Sequence, residues 1–193
     1  MVRDWRLVLQ DALKLYTDYV IANGGDAAHL LDTPVRVSRA FEEYQAGYHA
    51  SPVEALGRVF PAETSEMIHV RRIRINSMCA HHMQPIMGDV HFAYVPHEHI
   101  VGLSKIPRFI AVLSQRLQVQ ESLTAQIVDT FQAVIKPYGC AAVVRAYHCC
   151  MMARGVKEHE AYTETVALRG SFFADTATRA EFMASLDRGE FRL

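Results

Sequence analysis

Residues 78 to 85 read MCAHHMQP and residues 146 to 150 read AYHCC, so cysteine and histidine crowd together twice in one chain. Cys79 and His82 stand in Cys-x-x-His spacing, that of a metal-ligand pair, and a third donor has to come from elsewhere. A catalytic zinc centre takes three protein ligands and keeps one position open to water, whereas a structural centre closes with four. AYHCC reads as strand, and alternation puts His148 and Cys150 on one side and Tyr147 and Cys149 on the other. His81 and His82 are neighbours and cannot readily share a direction, so one binds while the other stays free. The expected arrangement is a three-ligand Zn²⁺ centre of Cys79, His82 and Cys150, with His81 and His148 uncoordinated and available to move protons. An ion so held lowers the pKa of bound water from about 15.7 to about 7. Two alternatives stay open: a closed structural site with His81 or Cys149 as fourth ligand, and a set of inert buried thiols. Fe²⁺ or another divalent ion also suits thiolate and imidazole donors.

An anion site is expected in GLSKIPR, where Ser104 occupies an N-cap position and Lys105 and Arg108 converge on the free N–H groups of a helix start. Arg154, in MMARG after the second cluster, can join them. A solvated helix start with ordinary cations has the same residues. Glu121 opens the next helix, where a carboxylate either accepts the paired N–H donors of a guanine-like ring or stabilises the helix dipole.

These residues need elements to hold them. DWRLVLQDALKLYTDYVIANGG has apolar residues at helical spacing and a Gly-Gly stop. In LDTPVRVSRAFEEYQAGY, Thr33 is the expected cap and Pro34 the first helical residue. Residues 49 to 66 read as a looser connection. In MIHVRRIRINSM, Ile68 and Val70 share one parity and Ile73 and Ile75 the other, which predicts a strand with a bulge near Arg71 and Arg72. IMGDVHFAYV is a second strand. KIPRFIAVLSQRLQ and QESLTAQIVDTFQAVIK are helical, CAAVVRAYHCCMM and TETVALRGSFF form another strand pair, and TRAEFMASL is a closing helix. The order ααββααββα predicts an α+β fold, with residues 1–48 a helical region and 67–193 the catalytic domain of one functional unit.

Bulk properties exclude several classes. With 193 residues, 50% hydrophobic and 21% charged, the chain can bury a core and is too apolar for disorder. Lys and Arg number 20 against 21 Asp and Glu, so the net charge of -1 supplies no basic field for nucleic acid. The N-terminus carries charges at positions 3, 4 and 6, no stretch has the length of a membrane span, and the four cysteines lack a disulfide scaffold's spacing. A cytoplasmic protein is expected.

The chain resembles GTP cyclohydrolase I through LLDTPVRV (30 to 37), SMCAHHMQPIMGDVHFAYVP (77 to 96), GLSKIPR (102 to 108), QRLQVQESLTAQI (115 to 127), YHCCMMARGV (147 to 156) and TRAEF (178 to 182). The resemblance implies the tunnel fold, in which ββαα units join into rings. It implies Zn²⁺ on Cys79, His82 and Cys150, acid/base roles for His81 and His148, and a guanine contact from Glu121. Triphosphate contacts follow from Lys105, Arg108 and Arg154, with Arg36 and Arg39 from TPVRVSR, and Ser104 joins the substrate site. The implied reaction is addition of water at C8 of GTP, ring opening, loss of formate, and rearrangement to 7,8-dihydroneopterin triphosphate in a homodecamer.

The sequence departs from the family in two places. The family pattern is CEHH, and here Ala80 stands where the glutamate is usual. In TETVALRG, Val166 and Ala167 replace common hydroxyl residues and Arg169 an apolar one. The departures keep two other functions in view. One is a purine-ring hydrolase that takes a modified guanine nucleotide or stops at the ring-opened formamide. The other is a zinc- and nucleotide-binding module without turnover.

Overall fold

The computed structural model describes residues 4–186, which divide after Gln45 into two compact units. The ends of the expected helical region (1–3) and catalytic domain (187–193) lie outside the described residues.

The N-terminal unit is helical. Helix α1 (Trp5–Ala22) starts where the Asp4 side chain accepts from Arg6 N, and it gives way at Asn23 to Gly24, whose φ of +97° suits glycine. A short turn of helix at Ala27–Leu30 leads to α2 (Thr33–Tyr44). The expected cap is displaced by one residue: Asp32 holds the N-cap position, Thr33 and Pro34 lie inside the first turn, and no side chain caps it. Proline's missing N–H costs nothing there, because first-turn N–H groups lack helical acceptors anyway. α1 and α2 pack together through buried Thr17, Pro34 and Ser38, with Gln10 Nε2 donating to Ser38 Oγ at 3.2 Å.

The second unit begins with a 3₁₀ turn at Ala46–His49. The stretch expected to be a loose connection in fact holds a helix at Pro52–Leu56, capped by Ser51 Oγ accepting from Glu54 N, and a strand at Val59–Pro61. That strand pairs with His99–Val101 in a small antiparallel sheet. The S-P-x-E sequence is itself a cap signal.

The main sheet is a meander. Strands β1 (Ile68–Cys79), β2 (Pro85–Val95), β3 (Gly139–His148) and β4 (Thr163–Gly170) lie side by side, each antiparallel to the next, and Leu117–Gln118 adds a short parallel edge beside Met78 and Cys79. The expected bulge is present: the β1–β2 register shifts between Val70 and Ile73, and Arg72 takes a φ of +53°.

Helices α3 (Lys105–Ser114) and α4 (Gln120–Ile135) cover one face of this sheet. Phe131 on α4 fills the centre, its ring 4.8 Å from Phe92 and 5.0 Å from Tyr94, and such pairs contribute about 0.5–1.5 kcal/mol each beyond area burial. The expected helix over KIPRFIAVLSQRLQ stops at Ser114, because Leu117 and Gln118 pair with β1 instead: Ala80 N donates to Gln118 O at 3.0 Å, and Gln118 Nε2 donates back to Leu113 O at 2.8 Å. The other face carries Ala93, Ala141 and Val143, with Phe172 and with Phe182 from the closing helix α5 (Thr176–Ser185). The fold is α+β in the expected order, with short elements added. Among the described residues no helix is long and apolar enough to cross a membrane.

Candidate active site

The site forms where the sheet runs out. β1 ends at Cys79, and the next five residues turn the chain back into β2: Met83 N donates to Cys79 O at 2.9 Å and Cys79 N to Gln84 O at 2.8 Å. An i to i+4 bond is one turn of helix, and residues three apart on such a turn share a face. His82 therefore lies over Cys79, its Nδ1 3.7 Å from Cys79 Sγ. Met83 closes the turn at a φ of +49°. The His81 ring diverges from that of His82, with centroids 6.2 Å apart and planes at 76°.

The third donor arrives from β3, though not as strand alternation predicts. The strand ends at His148, and Cys149–Met152 coils into a helical turn closed by Ala153 N donating to Cys149 O at 2.8 Å. Cys150 is thus outside the strand, and the parity argument for it fails. Because Ile86 pairs with His148, the β1–β2 turn and the exit of β3 meet at the same end of the sheet. The ligand atoms of Cys79, His82 and Cys150 all lie within 4.8 Å of one another.

Two thiols and an imidazole at that spacing fit a tetrahedral borderline-soft cation. Zinc bonds of about 2.3 Å to sulfur and about 2.0–2.1 Å to nitrogen put the two donors about 3.6 Å apart across the ion. Burial, and next the Cys79 thiol, push the Cys150 thiol up, and a bound cation is what reverses that preference.

A cavity of about 240 Å³ opens beside the three donors. Its walls bring together Cys79, His81, His82, Glu121, His148 and Cys150, all expected, with Gln118, Val119, Gln120, Met151, Thr163 and Ile86. Glu121 sits exposed in the first turn of α4. His148 is half-buried; burial pushes its imidazole below the usual histidine range, and the Glu121 carboxylate opposes this. Its Nε2 lies 2.7 Å from Gln120 Oε1.

Ser104, Lys105, Arg108 and Arg154 are not among the residues that line this cavity. Ser104 occupies the N-cap position of α3, but its hydroxyl makes no capping bond; Lys105 follows it and Arg108 is exposed one turn on. Arg154 is exposed just beyond the Cys149–Met152 turn. Arg36 and Arg39 lie on α2 of the N-terminal unit, Arg36 paired with Asp32 at 3.2 Å. Gln120 escaped the sequence reading. An uncharged amide beside Glu121 gives no chemical signal, and its partners lie 24 to 45 residues away.

The family model described as GTP cyclohydrolase I matches residues 18–187. A protein named GTP cyclohydrolase 1 from Wolinella succinogenes is 38% identical over 189 residues, covering 96% of this chain and 99% of that one. A protein named GTP cyclohydrolase 1 2 from a Nostoc species is 47% identical over 159 residues, covering 82% and 74%. A solved structure titled as the archaeosine synthase QueF-Like in the apo form is similar at 16% identity and a TM-score of 0.47, covering 56% of this chain and 97% of that one. With its family model matched over most of the chain and such relatives along nearly its whole length, this chain belongs to the GTP cyclohydrolase I family.

Proposed function

We propose that the chain is a GTP cyclohydrolase I that hydrolyses the imidazole ring of GTP at C8, releases formate and forms 7,8-dihydroneopterin triphosphate. The observation that carries this reading is the convergence of three metal-ligand donors, two further imidazoles and one carboxylate on a single cavity. Cys79, His82 and Cys150 would hold Zn²⁺, which when bound supplies a water acidic enough to attack near neutral pH. Glu121 accepts the paired N–H donors of the guanine edge and sets which purine atom faces the metal. His148 and His81 move the protons that ring opening and formate release require. Ser104, Lys105, Arg108 and Arg154 take the triphosphate, with Arg36 and Arg39 contributing to the same anion, so the nucleotide's charge is met by cations. In this reading residues 1–48 are a helical region, the tunnel-fold catalytic domain spans 67–193, and the working form is a cytoplasmic homodecamer.

Ala80 favours a second reading. It sits in the exposed turn between Cys79 and His81, and Glu121 is the one carboxylate among the described residues lining the cavity. With no acid beside His81, the reaction can end at the ring-opened formamide, or the substrate can be a modified guanine nucleotide.

The test incubates zinc-quantified protein with GTP and follows formate and the dihydropterin in the same samples, with His148→Ala as control. Equal yields of both, lost in the control, are expected. Formate without pterin would move the function to the truncated reaction, and a large gain of pterin in Ala80→Glu would assign that truncation to Ala80. Tight nucleotide binding with no formate would leave the binding module.

A further inference from the structure

Gln120 is buried to 2% exposure at the start of α4, yet its side chain reaches four residues on two strands. Its Nε2 amide faces Val144 O at 3.1 Å on β3, and Thr163 O at 3.0 Å and Thr165 Oγ1 at 3.1 Å on β4. Its Oε1 faces His148 Nε2 at 2.7 Å.

The direction of every bond in this group follows from its chemistry. Backbone carbonyls only accept, so the side of the amide facing Val144 O and Thr163 O must be the NH₂; the flipped amide would set oxygen against two oxygens in a buried site. The hydroxyls agree. Thr124 Oγ1 donates its single hydrogen to Gln120 O at 2.8 Å, so in the 2.6 Å contact between the two threonines Thr165 is the donor. That leaves a Thr165 Oγ1 lone pair to share, with the two carbonyls, the two hydrogens of the Gln120 amide. Oε1 is therefore the atom presented to His148, and as an acceptor it requires a hydrogen on His148 Nε2. Nδ1, which makes no hydrogen bond among the described residues, is the ring atom left with a free lone pair.

We propose that Gln120 is a positioning residue that holds His148 as its Nε2–H tautomer with the ring plane fixed, so that Nδ1 keeps the ring's free lone pair. This rests on the reading of His148 as a proton-transfer group. The network joins that group to the backbone of both strands beside it, β3 and β4, so the imidazole's aim is set by the sheet.

Solid-state ¹⁵N spectra of histidine-labelled, zinc-loaded protein, with His148 assigned by its loss in His148→Ala, read the tautomer directly when recorded where the neutral ring dominates. The expected result is a protonated Nε2 whose signal carries the shift of a strong hydrogen bond, and loss of that shift in Gln120→Met. In the same variant kcat falls about tenfold to a hundredfold, less than the full value of a proton-transfer group, with KM for GTP within about twofold and metal content unchanged. An unprotonated Nε2 in the wild type overturns the proposal even if Gln120→Met does not fold. A rise in KM at constant kcat overturns it too, by making Gln120 a substrate contact. A wild type that does not turn over GTP sinks the proposed function, while the tautomer still decides what Gln120 does.

Discussion

The two ends of β3 carry the same chemical group in opposite circumstances. At its start Cys140 is wholly buried; its Sγ donates to Val128 O at 3.4 Å, and burial pushes its thiol from 9.0 up to about 12. Ten residues on and just past its end, Cys150 shares a cluster with Cys79 and His82. Cys140 obeys strand alternation, which points it into the core under α4. Cys150 has left the strand for a helical turn, and the same is true of His82 beyond β1. Candidate metal donors gather at this end because coiling past the last ladder bond gathers side chains that a regular strand spreads apart. A cysteine's role here is set by where the sheet stops holding the chain.

The largest effect that tests this contrast is loss of metal. Cys150→Ser or Cys79→Ser is expected to retain less than about a tenth of the bound metal after equilibrium dialysis and to lose turnover, while Cys140→Ala keeps both. Elemental analysis of dialysed protein measures this. Metal loss in Cys140→Ala with retention in Cys150→Ser would reverse the assignment of the two thiols.

Within the active end, ligands and proton-moving groups should separate. His148→Ala is expected to keep its metal and lower kcat for GTP by about 10²–10⁴, the range for loss of one acid/base group. Steady-state kinetics alongside metal analysis checks this. Equal loss of metal would make His148 a ligand and the site a closed one.

At the structural end the currency is stability. Phe131→Ala removes the ring that touches Phe92 and Tyr94 in the core that also holds Cys140, and should cost about 3–5 kcal/mol in denaturant unfolding. The proposed metal-ligand cluster lies on a separate small group of buried residues, Cys79, Ile86 and Ala146, so what folded protein remains should still bind metal. Loss of metal in the folded fraction would show that the two ends depend on each other.

The contrast also marks what the sequence could reveal. Element order was legible because periods of two and 3.6 survive packing, and even the bulge showed as a change of parity between Val70 and Ile73. Cys79 with His82 was legible because a three-residue spacing means the same face on any helical turn. Cys150 was reached by a faulty step, since nothing local in AYHCCMM says that β3 stops at His148 while its apolar character continues. The helix at Pro52–Leu56 was missed although Ser51 and Pro52 signal it. Gln120 could not be seen, because its meaning lies in Val144, Thr163 and Thr165, which only the pairing of β3 with β4 brings beside it.

The smallest effect isolates Cys140 by pH. Its folded pKa of about 12 lies above the ordinary 9.0, so the folded state keeps a proton that the unfolded chain gives up. The stabilisation from the neutral thiol is complete below pH 9.0 and is lost as pH rises toward about 12. Within that window each pH unit costs about 1.4 kcal/mol from this one group. Tyrosines and lysines titrate there too, so the readout is the difference between wild type and Cys140→Ala. The variant, less stable at pH 8 by the lost packing, should narrow that gap by roughly 1 kcal/mol at pH 10 in denaturant unfolding. A gap constant with pH would mean that the Cys140 thiol ionises as easily in the fold as out of it. Burial at the start of β3 would then supply packing without holding the Cys140 thiol neutral.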